Sequence, residues 1–503
     1  MRPGRTDRGI IGKGPANSYG WVNLTPGLPL VCPPVPHGDV LGVIWHLSDV
    51  HICDAESPAR LEYLDRFSDP DSPYAHALGD VGTYRPQEIL TVQVAATMVE
   101  TVNDNARGPT TDRVADVVLL TGDLIDNAQE NELQWYQTIV QGGEVAPVSG
   151  DGIRSSWVGS PHIQWDDRYW HPDGPSLGQA RDRLTRVHGF PEIPGLVDAA
   201  RAPVHSPGLR LPWISVYGNH DGLLQGTVAP TSELQSLAVG GERVTGLPPG
   251  MDPMEITWAI AKHGPARYIH TDQSPRMAVA ADGNRRLITG REFATATGAQ
   301  ATFFAMDVAE LRIICLNTVN PYGGWEGSLD HPQFAWLDRE LQSTDRPVVI
   351  ASHHPSFTLT NDYVPAGSPS RVLRDEVLDL LLDSDQVVLW LAGHVHHHSL
   401  TRHARNGHAF LEITTASLID WPQQGSMIEI LRVKEDFGSH VVVVSTAVDH
   451  QAPVMPNLTN LHDHRNLAAV SRLLSANDYH QYGVPKAESA GGALNGWWSV
   501  ASR

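Results

Sequence analysis

A chain of 503 residues, 41% hydrophobic and 18% charged, can bury one large core or two modest ones and lies well clear of disordered compositions. Its formal net charge of −21 argues against an extended nucleic-acid footprint, because phosphate backbones need a basic face. The same charge is compatible with a buried cationic centre, since a local ion outweighs distant surface carboxylates.

Residues 1–40 are rich in Gly and Pro (GKGPANSYG, PGLPLVCPPVPHG), which suits an irregular N-terminal arm. The first 20 residues carry basic groups but no apolar run behind them, so no export signal is expected. Cys32, Cys53 and Cys315 are too few and too scattered for a disulfide framework. No stretch approaches the roughly 18 uninterrupted apolar residues of a membrane span. These features point to a cytoplasmic protein with no membrane partner.

From residue 41 the chain runs repeatedly from short apolar stretches into polar residues. LGVIWHLSDVH, VADVVLLTGD, LPWISVYGNHD, RPVVIASHHP and QVVLWLAGHVH each read as a buried strand ending in a loop. ATFFAM and ELRIICLNT read as further strands. Between them lie helical patterns: PQEILTVQVAATMVETVNDN with Pro86 at a first turn, HPQFAWLDRELQST, and SRVLRDEVLDLLLDS. AFLEITTAS, SMIEILRV and SHVVVVSTAV follow without helices, which suggests strands closing a second sheet.

Strands alternating with helices argue for an α/β domain, placed at 41–450. Two irregular insertions are expected within it, at about 128–210 and 222–300, the second with one helix near MDPMEITWAIAKHG. A C-terminal extension follows at 451–503.

The chemistry-bearing residues stand just past five of the apolar runs. They are Asp49 and His51; Asp123 and Asp126; Asn219, His220 and Asp221; His353 and His354; and His394 and His396. Ligand groups in α/β sheets gather at strand C-termini, so the five loops can converge. Carboxylate oxygen, amide oxygen and imidazole nitrogen together suit hard or borderline divalent ions. An Asp can bridge two cations through its two oxygens, as two-metal hydrolysis requires. Any one of these short patterns is common by chance; five in order are not.

SDVH, GDLID, GNHD, HHP and GHVH together resemble the blocks of the calcineurin-like metallophosphoesterase superfamily. The likeness extends through LDHPQFAWLDREL and TTASLIDWPQQGSMIEI, between about 41 and 435. It implies a four-layer α-β-β-α sandwich of two mixed sheets flanked by helices. It also implies two divalent or trivalent metal ions, of the manganese, iron or zinc kind. By the resemblance Asp49, His51, Asp123 and His396 hold one ion, and Asp123, Asn219, His353 and His394 the other. His353 is chosen over His354 because the family's ligand stands two residues before this proline, Pro355.

The resemblance makes His220 the general acid, or a donor to a phosphoryl oxygen, with Asp221 steadying its imidazolium. Asp126 is expected to orient a ligand, although Asp126 and Asp221 are equally placed to cap helices. His397, His398 and His403 match no family position and are expected at the surface. Cys53 is read as a buried inert thiol, and Trp165, Arg168 and Trp170 as candidates to line a substrate pocket. No tyrosine stands where purple acid phosphatases have theirs, so a coloured ferric site is not expected.

The implied reaction is attack of metal-held hydroxide on the phosphorus of a small mono- or diester. A non-catalytic scaffold of the same fold would be expected to have lost ligands, and a nuclease to carry a basic aromatic groove. Metal identity, substrate and oligomeric state are not encoded in these patterns.

Overall fold

The apolar runs fold into two six-stranded sheets. The computed structural model describes residues 9–27, 35–67, 69, 72–75, 84–255, 273–435, 438–479 and 495–500. In chain order the strands of the two sheets are β1 (Asp39–Leu47), β2 (Val117–Leu120), β3 (Trp213–Ser215) and β4 (Phe304–Val308). They continue with β5 (Leu311–Cys315), β6 (Val348–Ala351), β7 (Val387–Ala392) and β8 (Ser399–Arg405). The last are β9 (His408–Thr414), β10 (Gln424–Glu435), β11 (Gly438–Asp449) and β12 (Gly496–Val500).

The first sheet has the order β12-β11-β10-β1-β2-β3, with β1, β2 and β3 parallel and β10 antiparallel to β1. The second has the order β4-β5-β6-β7-β9-β8, parallel from β5 through β9 with antiparallel edges.

Period-two alternation gives each sheet two apolar faces, and both are covered. Between the sheets, Ile44, Leu119, Ile214 and Ile430 of the first meet Ile313, Val349, Leu389 and Ile413 of the second. Outside the first sheet, Val43, Trp45, Val118 and Leu120 pack under α1 (Thr91–Asp104) and α2 (Glu130–Gln141), through Val92, Ala96, Val99, Leu133 and Tyr136. Outside the second, Ile350, Trp390 and Phe410 pack under α3 (His331–Gln342) and α4 (Arg374–Leu382), through Leu337, Leu341, Val377 and Leu381. Asp330 caps α3 by accepting from the Gln333 N–H at 2.7 Å. The result is the four-layer α-β-β-α sandwich.

Several boundaries differ from the sequence reading. The arm expected to be irregular contains an antiparallel pair, Gly9–Ala16 with Val22–Gly27. Its turn is shaped by Asn17 Oδ1, which accepts from the N–H groups of Tyr19 and Trp21 at 2.9 and 3.1 Å. The three late strands do not close one sheet: β9 joins the second, while β10 and β11 extend the first. The insertion expected from 128 begins with α2, which belongs to the outer layer of the first sheet.

The helix at PQEIL starts as a 3₁₀ turn at Glu88–Leu90, so Pro86 precedes it. The C-terminal extension is part of the sandwich: β12 adds an edge strand to β11, and α5 (His464–Ala476) packs on α1. Most of the helix expected near 251–264, and Cys32, lie outside the described residues. Among the described residues no helix is long and apolar enough to cross a membrane.

Candidate functional site

Five loops, after β1, β2, β3, β6 and β7, leave their strands at the same end of the sandwich and bring the seven expected ligands together. Asp49, His51 and His396 offer ligand atoms within 4.8 Å of one another, as do Asp49, Asp123 and His353. The His51 and His396 Nε2 atoms lie 3.2 Å apart. His396 Nε2 is 3.3 Å from Asp49 Oδ1, and Asp123 Oδ2 is 3.8 Å from His51 Nε2 and 3.1 Å from His353 Nε2. Asp123 therefore stands between the two groups.

The local backbone is unusual where the side chains converge. Asp49, His51, Asp123, His394 and His396 all have positive φ, between 48° and 69°. For residues other than Gly such conformations cost of order 1–3 kcal/mol each and persist where the surroundings impose them. Here neighbouring loops impose them: Asp49 accepts the His394 N–H at 3.1 Å, and the His51 N–H donates to Asp123 O at 2.9 Å.

The far nitrogen is held in three of the four expected imidazole ligands. His51 Nδ1 donates to Asp126 Oδ1 at 2.9 Å, His396 Nδ1 to Asp420 Oδ2 at 2.7 Å, and His353 Nδ1 to Thr121 O at 2.8 Å. These bonds fix the ring orientations and turn each Nε2 towards the centre. Asn219 Oδ1 is buried there without a hydrogen-bond partner, and His353 Nε2 has the Asp123 carboxylate at 3.1 Å. Asn219 Nδ2 donates to Gly226 O at 3.0 Å, which fixes the amide orientation.

Burial and mutual charge set the titration behaviour. Burial pushes the Asp49 carboxyl up, but the His396 imidazole beside it more than reverses this and holds it below the usual range. Burial opposes charge on His353, yet Asp123 and Asp49 lift it to about 9; His396 rises to about 9 against Asp49 and Asp420 for the same reason. His51 is drawn down to about 4 by burial and by His220, and His394 is lowered by burial and by His354 and His353. His220 is raised because Asp123 and Asp126 outweigh its burial. Carboxylates and imidazoles thus share charge in a largely buried cluster, the surroundings expected of a functional site.

His220 lies at the rim. Its Nδ1 donates to Asp126 O at 2.8 Å, and its backbone N–H donates to Asp123 Oδ1 at 2.8 Å. Asp221 does not hold this imidazole, contrary to the sequence reading. Its carboxylate accepts the N–H groups of Leu124, Ile125 and Gly218 at 2.9, 3.1 and 2.8 Å, so it pins the second loop to the third. Asp126 takes the steadying place expected of Asp221.

His354 is committed elsewhere, with Nδ1 to Thr318 Oγ1 at 2.7 Å and Nε2 donating to Trp325 O at 2.9 Å. His398 is buried rather than at the surface, with Nε2 bonded to Gln424 Oε1 at 3.0 Å; His397 and His403 are half-buried. Trp170 is fully buried in a core with Tyr84 and Phe190, so it lines no pocket, while Arg168 pairs with Asp166 and Trp165 stacks on His171. Cys53 is buried and its thiol is pushed up by burial, which keeps it protonated.

Four contributors had gone unremarked. Asp420, just past β9, holds His396; its sequence signal is a strand-end Asp in the quoted TTASLIDWPQQG. Arg60 and Arg85 hold Asp126 and Asp420, and no local pattern marks either arginine. Gly226 packs on the site with φ +66: a Cβ there would lie 2.3 Å from His220 Cδ2 and 2.4 Å from Asn219 Nδ2. Gly226→Ala is expected to cost about 10²-fold in kcat by displacing both side chains. An Ala variant that folds and turns over at the wild-type rate would show that the loop has room.

The family model for calcineurin-like phosphoesterases matches residues 188–398. That span holds Asn219, His220, His353, His394 and His396, and the geometry adds Asp49, His51 and Asp123 from outside it. No curated protein matches the chain in sequence. Among solved structures, a dimetal phosphatase from Danio rerio aligns at 14% identity and TM-score 0.31, covering 82% of this chain and 100% of that one. The calcineurin-like phosphoesterase YfkN from Bacillus subtilis aligns at 12% identity and TM-score 0.27, covering 86% and 99%. Likeness at these scores adds nothing to the argument from geometry.

Proposed function

We propose, from the premise that residues 188–398 carry a calcineurin-like phosphoesterase domain, that this chain hydrolyses small phosphate mono- or diesters with a pair of metal ions. The observation that carries the reading is the set of inward-facing donor atoms at the centre. Asn219 Oδ1 is buried without a hydrogen-bond partner, and such an orphan costs roughly 1–3 kcal/mol, while His353 Nε2 faces Asp123 Oδ2 at 3.1 Å. The His51 and His396 Nε2 atoms face each other at 3.2 Å, a separation that a shared proton or a cation can bridge. A pair of cations would engage all four atoms at once. The mixed oxygen and nitrogen donors suit manganese, iron or zinc.

In this reading Asp49, His51, Asp123 and His396 would hold one ion, and Asp123, Asn219, His353 and His394 the other. Bound there, the ions would supply charge for phosphoryl oxygens and a nucleophile from water at neutral pH. The chain's own groups do the rest. His220, kept protonated on Nδ1 by the Asp126 carbonyl, presents Nε2 to the leaving oxygen and gives it a proton. Asp126 stabilises the imidazolium from 3.3 Å.

Metal analysis of the purified protein, followed by assays on p-nitrophenyl phosphate, bis-p-nitrophenyl phosphate and cyclic AMP, tests this directly. The expected result is two ions per chain and metal-dependent turnover of at least one ester. A fully loaded protein inert towards all three would instead be the binding scaffold.

A further inference from the structure

Residues 53–90 stand between the first and second loops of the site and contribute no expected ligand, yet two of their arginines reach the two histidines that face each other at its centre. Arg60 is fully buried. Its guanidinium donates from NH1 to Asp126 Oδ2 at 2.5 Å, from NH2 to Glu88 Oε2 at 2.7 Å and from Nε to Glu62 Oε1 at 2.9 Å. Asp126 passes its other oxygen to His51 Nδ1 at 2.9 Å. Arg85 repeats the arrangement: Nε donates to Asp420 Oδ1 at 3.0 Å, with Gln87 Nε2 on the same oxygen at 3.2 Å, and Asp420 Oδ2 accepts from His396 Nδ1 at 2.7 Å. The two chains of contact run arginine, carboxylate, imidazole, and they end on Nε2 atoms 3.2 Å apart.

Among the described residues, no arginine-backed carboxylate stands behind His353 or Asn219. His353 Nδ1 rests on a backbone carbonyl, Thr121 O, and the Asn219 amide on Gly226 O. Buried ion networks are costly unless their geometry is good, and a buried Arg–carboxylate pair can often be replaced by apolar packing without loss of stability. Two such networks from one segment, both converging on one half of a site, argue for a task there. A charged hydrogen bond from arginine holds the carboxylate in place, and the carboxylate fixes the ring and raises its donor strength.

We propose that Arg60 and Arg85 are positioning residues that set the affinity of one metal site, that of His51 and His396, and leave the site of Asn219 and His353 untouched. The proposal rests on the two-metal reading above. Arg60→Met and Arg85→Met keep the side-chain length and remove the fork. Each is expected to weaken binding of one Mn²⁺ by about 10- to 100-fold, the usual effect of outer partners on metal affinity, while the second ion binds as in the wild type.

The readouts are Mn²⁺ stoichiometry against a competing chelator and the electron spin resonance of the loaded protein. The wild type is expected to give the signal of a coupled pair and the variants that of an isolated Mn²⁺. Arg60→Lys, which keeps charge but not the planar fork, is expected to fall between. It carries the test with Arg85→Met if Arg60→Met does not fold. Equal weakening of both ions, or unchanged affinity for both, would overturn the inference. A wild type that never holds two ions fails the two-metal reading instead, so the two failures are distinguishable.

Discussion

Asp123→Ala is expected to abolish turnover and to leave the chain unable to hold its metal pair. The carboxylate has contacts on every side: Oδ2 lies 3.1 Å from His353 Nε2 and 3.8 Å from His51 Nε2, and Oδ1 accepts the His220 N–H at 2.8 Å. Removing it takes away the one group shared by both halves and leaves several buried imidazoles without their anion. Outer partners of metal ligands are worth about 10- to 100-fold in affinity, and a bridging ligand is worth more. Metal content and kcat should fall together. Wild-type activity in a metal-loaded Asp123→Ala protein would refute the two-ion mechanism.

His220→Ala should separate the two properties. His220 contributes no expected ligand atom, so metal content stays near the wild-type value. A positioned acid contributes about 10²–10⁴-fold, equivalent to about 3–5 kcal/mol of barrier, and kcat is expected to fall by that factor. The leaving group gives the sharper reading. An alkoxide needs the proton and p-nitrophenolate departs without it, so alkyl esters should lose far more than p-nitrophenyl esters. A uniform loss across leaving groups would mean that His220 binds the phosphoryl oxygen instead.

The sandwich was legible because its strands are short apolar runs punctuated by polar loops, a pattern that survives without knowledge of partners. Sheet membership was harder. AFLEITTAS, SMIEILRV and SHVVVVSTAV look alike, and only tertiary pairing sends β9 to one sheet and β10 and β11 to the other. The expected ligands stood in recognisable blocks, but the groups behind them did not. Asp221 is adjacent to His220 in sequence, yet the short helical turn aims its carboxylate at backbone donors on the neighbouring loop, while Asp126, 94 residues before His220, supplies the contact. Arg60 meets Asp126 across 66 residues and Arg85 meets Asp420 across 335, separations that no local pattern can signal.

Four of the converging groups, Asp49, His51, Asp123 and Asn219, come from one sheet, and His353, His394 and His396 come from the other. The spacing between these groups is therefore inherited from the stacking of Ile44, Leu119 and Ile214 on Val349, Leu389 and Ile413. Interiors are close-packed, so the loss of even one methyl group from that layer is expected to shift the two sheets against each other. The hydrophobic seam thus acts as the gauge block of the cluster, and a gap in its middle is expected to show as misplaced side chains at its end.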